Sequence, residues 1–385
     1  MLGRTDCSTD HREWYVVSDL HLDGEPGPRN VDSAFPWFLE TVVGASTARR
    51  RTLVLLGDTF DLHGPVRQPA DLVAERLESL AEAHGAVLRA LGDCVRSGVG
   101  LHVVGGNHDV ELTRPATASL FTRLLGLEVD DQRVQFSPWV VHEPGIFYAE
   151  HGNQHHVLNR MPTLLSVRQQ GAAQAELPVT PLGATSRGHP WCRGEGTAAA
   201  RFARSLRATR RHERLTRTSW YQGLIGREAV GVGLSAPALT ELAGLSRFGT
   251  GKALAAAARR TLERMVGVAR GPGTYLVPRA AAIHRILTRH GTPASAYVFG
   301  HNHRAERLEL PDGPPASYLN TGTWSAEVRG SGPDQGDRQR FPYVRVATTT
   351  HGTEADLAFW SPNPGSSDRA GRLGRQDRLV EGSER

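Results

Sequence analysis

Apolar residues in this chain fall in short runs that stop abruptly at small or charged residues. Trp14-Tyr15-Val16-Val17 is apolar throughout and ends at Ser18-Asp19, which reads as a buried strand running into a sharp loop. Residues 52 to 56 repeat the pattern and end at Gly57-Asp58, and residues 101 to 104 end at Gly105-Gly106-Asn107. Between these runs, residues 33 to 44, 70 to 92 and 116 to 125 carry apolar positions at helical spacing. Residues 133 to 142 and 146 to 150 predict two strands joined across Glu143-Pro144-Gly145, a turn signal, and the second ends at Glu150-His151.

From residue 155 to 278 the pattern changes to Arg/Ala/Gly-rich segments with helical spacing and several breakers. The earlier pattern then resumes with a helix at 279 to 290, a strand at 296 to 299 ending in Gly300-His301, and strands near 317 to 320, 341 to 348 and 355 to 360. An α/β core over 12–154 and 279–361 is therefore expected, interrupted by a mostly helical cap insertion over 155–278. Residues 362–385 are rich in Ser, Gly, Arg and Asp without apolar periodicity, and read as a disordered tail.

Composition changes this picture little. With 385 residues, 39% hydrophobic and 22% charged, the chain has the profile of a soluble globular protein with ample core. No apolar run reaches the ~18 residues of a spanning helix, and the amino terminus lacks the apolar stretch and cleavage site of a secretory signal. Cys7, Cys94 and Cys192 are odd in number and widely spaced, which fits a reducing compartment, so a cytoplasmic location is expected. The net charge is +5, but Lys252 is the only lysine. Basicity carried by arginine alone reads as a genome-wide compositional skew and is weak support for a nucleic-acid or membrane partner.

The chemistry lies at the strand ends. Five predicted strands each finish in a block of metal-competent residues: SDLHL at 18–22, GDTFD at 57–61, GNHD at 106–109, EHGN at 150–153 and GHNH at 300–303. Loops at the carboxyl ends of strands in an open α/β sheet meet in one crevice, so these blocks can converge. Any one block alone is more simply a turn with a solvated face; five in order reverse that reading. Asp19 and His21, two residues apart in an extended segment, point the same way, so one ion could take both; the same holds for His301 and His303, which could equally serve two adjacent ions. A carboxylate such as Asp58 has two oxygens and can bind two cations, while Asn107 and His151 add a neutral oxygen and an imidazole nitrogen. Nitrogen and oxygen donors without cysteine suit manganese, and after it iron or zinc, better than calcium or magnesium.

This ordered series resembles the calcineurin-like metallophosphoesterase superfamily, whose pattern is D-x-H, GD-x-x-D, GNH-D/E, a lone H and GH-x-H. The resemblance implies two mixed β-sheets sandwiched between helices, a four-layer α/β fold, with the core over 12–154 and 279–361 as the catalytic domain. It implies two divalent metal ions, one on Asp19, His21, Asp58 and His303, the other on Asp58, Asn107, His151 and His301. The activity implied is phosphoester hydrolysis, on a phosphodiester or pyrophosphate, by in-line attack of a water that bridges the two cations. His108 is the expected stabiliser of the phosphoryl oxygen or proton donor to the leaving group, with Asp109 orienting its ring. Asp61 is expected to hold a ligand histidine or the loop. YLNTGTW at 318–324 also resembles the strand that follows GH-x-H in this superfamily.

An insertion between His151 and His301 resembles the cap of the UDP-2,3-diacylglucosamine hydrolases, although this cap is longer and His108 stands where those enzymes usually have arginine. A phosphorylated small-molecule, nucleotide-linked or lipid-like substrate is the leading expectation, with peripheral membrane contact through the cap a further one. The alternatives are a nuclease or nucleotide phosphodiesterase, which would need an exposed basic channel, and a catalytically silent binding module, which would be expected to have lost ligands. Arg201, Arg204, Arg207, Arg211 and Arg214 share a helical side that reads as a solvated face in an arginine-biased chain. His155, His156, Asn159 and Arg160 lie just after His151 and could contact substrate, although the sequence shows only that they are nearby.

Overall fold

The computed structural model describes residues 11–23, 30–62, 70–156, 159–161, 164–165, 219–245, 274–311, 313–325, 340–350 and 352–362. Cys7, Cys192, the arginine row at 201–214 and most of the 362–385 segment lie outside these residues.

Among the described residues, eleven strands form two mixed sheets. β1 (Arg12–Val17), β2 (Arg50–Leu56), β3 (Gly100–Val104) and β4 (Val134–Ser137) run parallel. β10 (Phe341–Thr349) and β11 (Gly352–Trp360) add antiparallel to the β1 edge, giving the order β11-β10-β1-β2-β3-β4. The second sheet has the order β5-β6-β7-β9-β8, from β5 (Val140–Glu143), β6 (Phe147–Glu150), β7 (Ala296–Phe299), β8 (Ala305–Glu309) and β9 (Ser317–Thr321). Its central strands β6, β7 and β9 are parallel, and both edges are antiparallel.

The two-residue period of each strand sorts its side chains into separate layers. Trp14, Val16, Val54, Leu56 and Val104 face the second sheet and meet Phe147, Ala149, Val298 and Leu319 in a core between the sheets. The alternate residues Tyr15, Val17, Leu53, Leu55 and Val103 face outward onto α1 (Asn30–Phe38), α2 (Ala70–Ala83), α3 (Gly85–Arg96) and α4 (Pro115–Leu124). On the far side, Tyr148, Tyr297, Phe299 and Tyr318 pack on α5 (Ser219–Gly231), α6 (Ala236–Leu245) and α7 (Val277–Arg289). The α/β class with two mixed sheets between helices is thus the observed fold. It also explains why the central runs are apolar without alternation: both of their faces are buried.

Several expected elements divide or shift. The strand expected at 133–142 is two strands in different sheets, separated at Pro138, which has no N–H to continue a ladder. The helix expected at 70–92 breaks at His84, whose ring bridges the Asp32 carboxylate at 2.6 Å and the Asp23 carbonyl at 2.7 Å, and restarts at Gly85. The helix expected at 33–44 passes beyond Phe38 into a wider π-turn over Leu39–Gly44. β8 went unread because its edge position lets AERLE carry charge instead of an apolar pattern. Among the described residues, no helix is long and apolar enough to cross a membrane.

The segment after β9 locks the site end of β1. Thr323 Oγ1 and the Trp324 N–H both donate to the Asp19 carbonyl, at 2.8 and 3.1 Å. The Trp324 ring is 1% exposed, lies among Phe35, Phe38 and Phe341, and donates Nε1–H to the Pro342 carbonyl. Trp324→Ala is expected to cost about 3–5 kcal/mol, measured by urea unfolding of the metal-free protein.

Candidate metal centre

The ligand blocks follow the carboxyl ends of β1, β2, β3, β6 and β7, so the two sheets deliver them to the same edge of the sandwich. Asp19, His21 and His303 place ligand atoms within 4.8 Å of one another, as do Asp58, His151 and His301. A third group, His21, Asp58 and His108, overlaps both. Each group is of a kind that could hold a metal ion.

Backbone geometry at these residues is unusual. Among the described residues, the only non-glycine positions with positive φ are Asp19 (54°), His21 (49°), Asp58 (51°), His301 (67°) and His303 (58°). Left-handed backbone costs an L-residue roughly 1–2 kcal/mol, and such strain tends to persist where surrounding structure enforces it for function. Two glycines of the motifs permit the packing. A Cβ on Gly106 would stand 2.1 Å from Asp58 Oδ1, and one on Gly300 would stand 2.4 Å from Ser18 Oγ and 2.6 Å from Asp19 Oδ2.

Potential ligand atoms crowd together at this edge. His303 Nε2 lies 3.1 Å from Asp19 Oδ1, His21 Nε2 lies 3.2 Å from His303 Nε2, and His151 Nε2 lies 3.1 Å from Asp58 Oδ2. Asp19 Oδ1, Asn107 Oδ1 and His151 Nε2 are nevertheless buried without a hydrogen-bond partner. A buried polar atom left unsatisfied costs about 1–3 kcal/mol, and cations bound in the two groups would satisfy such atoms. The residues present therefore fit divalent ions.

The remaining atoms of the set are held from behind. Asp19 Oδ2 accepts from the Ser18 hydroxyl and from the His301 N–H at 3.0 Å, and Ser18 Oγ also meets Thr321 Oγ1 at 2.6 Å. Asp58 Oδ1 accepts the His108 N–H at 2.8 Å, and His151 Nδ1 is held by the Leu56 carbonyl at 2.8 Å. Asp61 Oδ1 lies 2.9 Å from both His21 Nδ1 and His108 Nδ1.

That last pair corrects the expectation for Asp109. Both Asp109 oxygens are occupied by backbone N–H groups, from Gly106 (2.8 Å) and Asp58 (3.1 Å) on one and from Thr59 (2.7 Å) and Phe60 (3.3 Å) on the other. Asp109 ties the GNHD loop to the GDTFD loop; the carboxylate that orients the His108 ring is Asp61. Adjacency in sequence suggests Asp109 for this role, but neighbouring side chains diverge where the chain turns into the 3-10 helix at Val110–Thr113.

Electrostatics follow from the same crowding. Burial disfavours charge on Asp19 and Asp58, but the surrounding histidines hold both carboxyls well below the usual range. Burial likewise opposes protonation of His21 and His151, yet the Asp19 and Asp61 carboxylates push His21 up to about 11, and Asp58 and Asp19 push His151 up to about 9. His301 is driven the other way, by burial and then by His151 and His156. Burial and the adjacent Asp58 raise Asp109 to about 6, against its N–H donors.

No protein-family model and no curated protein matches the chain. Among solved structures, it is similar to phosphopantetheinyl hydrolase (PptH) from Mycobacterium tuberculosis at 14% identity and a TM-score of 0.26, covering 82% of this chain and 90% of that one. A likeness at that level carries no argument about activity or substrate.

Two outcomes are expected. Asp109→Ala, which strands four buried N–H groups, should destabilise the metal-free protein by about 3 kcal/mol or more, while His108→Ala, with a side chain 39% exposed, should change it by about 0.5 kcal/mol or less; chemical denaturation separates the two. The second concerns pH. The raised values of His21 and His151 stabilise the metal-free fold below their ordinary 6.5, and this contribution is lost as pH rises through about 9 and then about 11. A cation must displace those protons. Mn²⁺ affinity should therefore rise from pH 6.5 to 9 with release of roughly one to two protons per chain, read by calorimetry in buffers of different ionisation enthalpy.

Proposed function

We propose that this chain is a metal-dependent phosphoester hydrolase of the calcineurin-like metallophosphoesterase kind. Asp19, His21, Asp58 and His303 would hold one divalent ion, and Asp58, Asn107, His151 and His301 the other. The observation that carries the reading is the meeting of the ligand groups at Asp58: Asp58 joins His151 and His301 in one group and His21 in another, while His21 also belongs with Asp19 and His303. When bound, two such ions acidify a water and offset the charge of a phosphoryl group. A donor set of nitrogen and oxygen favours Mn²⁺, with iron or zinc as alternatives.

The protein's own residues account for the rest. His108 is the partly exposed member of the cluster, with Nδ1 fixed by Asp61. Burial works against its proton, but Asp58 and Asp61 raise its pKa, so the ring keeps a proton to donate to a phosphoryl or leaving-group oxygen. Ser18, Asp61 and Asp109 hold side chains and loops in place. The 155–278 segment would select the substrate. Supporting this, Leu276 lies against Gly152 beside the centre, and α5 and α6 share one apolar core with α7. A phosphodiester or pyrophosphate of a nucleotide-linked or lipid-like molecule is the proposed substrate class.

The test is hydrolysis of bis-p-nitrophenyl phosphate and p-nitrophenyl phosphate by metal-stripped protein with Mn²⁺ restored. Turnover should require the metal and disappear in Asp58→Ala, and His108→Ala should lower kcat by about 10²- to 10⁴-fold with ions still bound. Two bound ions without turnover on either substrate would favour a binding protein instead.

A further inference from the structure

Each imidazole of the centre has two ring nitrogens, and only one can face an ion. For His21, Nδ1 meets the Asp61 carboxylate and Nε2 turns toward Asp19 and His303. For His151, Nδ1 meets the Leu56 carbonyl and Nε2 turns toward Asp58. In both rings an oxygen acceptor holds one N–H and frees the other nitrogen. His301 has a different neighbour: its Nε2 lies 3.3 Å from the side-chain amide nitrogen, Nδ2, of Asn159.

We propose that Asn159 is the positioning residue for His301, its side-chain carbonyl accepting the Nε2–H so that Nδ1 is the nitrogen left for the ion. The assignment rests on the metal-centre reading above. Turning the amide by a half rotation about its last bond exchanges Oδ1 and Nδ2 without moving any other atom. The converse arrangement contradicts ligation. A neutral imidazole has one lone pair; if the amide N–H took it at Nε2, Nδ1 would carry the proton and the ring would offer a cation nothing. His301 thus repeats the pattern of His21 and His151 with its two nitrogens interchanged.

Asn159 is built into place. Asn153 donates Nδ2–H to the Asn159 carbonyl at 3.2 Å. Gln154 clamps Met161 at both ends, donating to its carbonyl at 3.1 Å and accepting its N–H at 2.9 Å. Asn153, Gln154 and Met161 are all buried, and Met161 packs in the core under α5 and α7. The loop leaving His151 therefore returns to hold His301, which joins two ligand blocks about 150 residues apart at the point where the insertion begins.

Calorimetric Mn²⁺ titration of wild type, Asn159→Leu and Asn159→Asp tests the proposal, alongside melting of each metal-free protein. Wild type comes first: failure to bind two ions overturns the metal-centre reading itself. With two ions bound by wild type, Asn159→Leu should weaken the second by about 10- to 100-fold without a change in metal-free melting, and Asn159→Asp, which keeps the acceptor, should retain that ion. Unchanged affinity in Asn159→Leu, or equal loss in both variants, overturns the role of Asn159 alone. If the leucine variant does not fold, ¹⁵N-histidine spectra of Zn²⁺-loaded wild type decide the matter, with His301 assigned by His301→Gln. A protonated Nε2 and metal-shifted Nδ1 support the proposal; metal at Nε2 refutes it.

Discussion

Carboxylate oxygens and imidazole nitrogens stand 3.1 Å apart at the edge of the two sheets, and among the described residues Asp19 Oδ1, His151 Nε2 and the neighbouring Asn107 amide oxygen are buried without a hydrogen-bond partner. Left alone, such an arrangement would relax. Five of its residues also sit in left-handed backbone, which at roughly 1 kcal/mol apiece approaches the net stability of an ordinary domain. The remainder of the molecule has to hold this cluster against both costs.

The sandwich supplies that restraint. β1, β2 and β3 in one sheet and β6 and β7 in the other are buried on both faces, so their ends cannot drift. Asp109 then fastens the β2 and β3 loops through four backbone N–H groups, and the Thr323-Trp324 pair fastens the β1 loop to the strand after the second histidine block. Close approach at Gly106 and Gly300 lets neighbouring loops interlock where a methyl group would collide. Stability in the core is converted into fixed geometry at the edge.

The same geometry loads the cluster with protons that a bound cation would have to displace. Two buried carboxylates well below their usual pKa draw protons onto His21 and His151, whereas burial first, and then His151 and His156, disfavour a second proton on His301. A ring already free of its second proton offers a lone pair without competition, provided its tautomer is set. In the proposed reading, Asp61, Leu56 and Asn159 set the tautomers of three rings, each from a different segment of the chain.

The sequence by itself determined the strands that carry the site, because a strand buried on both faces must be continuously apolar and its end is marked by glycine and a charged residue. It also marked residues that the fold brings close together, Asp19, His21 and His303 in one group and Asp58, His151 and His301 in another. What it did not determine were features set by contacts across the fold. Pro138 could be read as a breaker, but only the packing of two sheets decided that β4 and β5 belong to different ones. AERLE at β8 carried no apolar signal, since an edge strand needs none. The partners of His108 and Asp109 depended on which oxygens the folded loops present to which hydrogens. Adjacency along the chain named Asp109 for the His108 ring; the turn of the backbone gave that place to Asp61, because hydrogen bonds are settled by distance and direction in space.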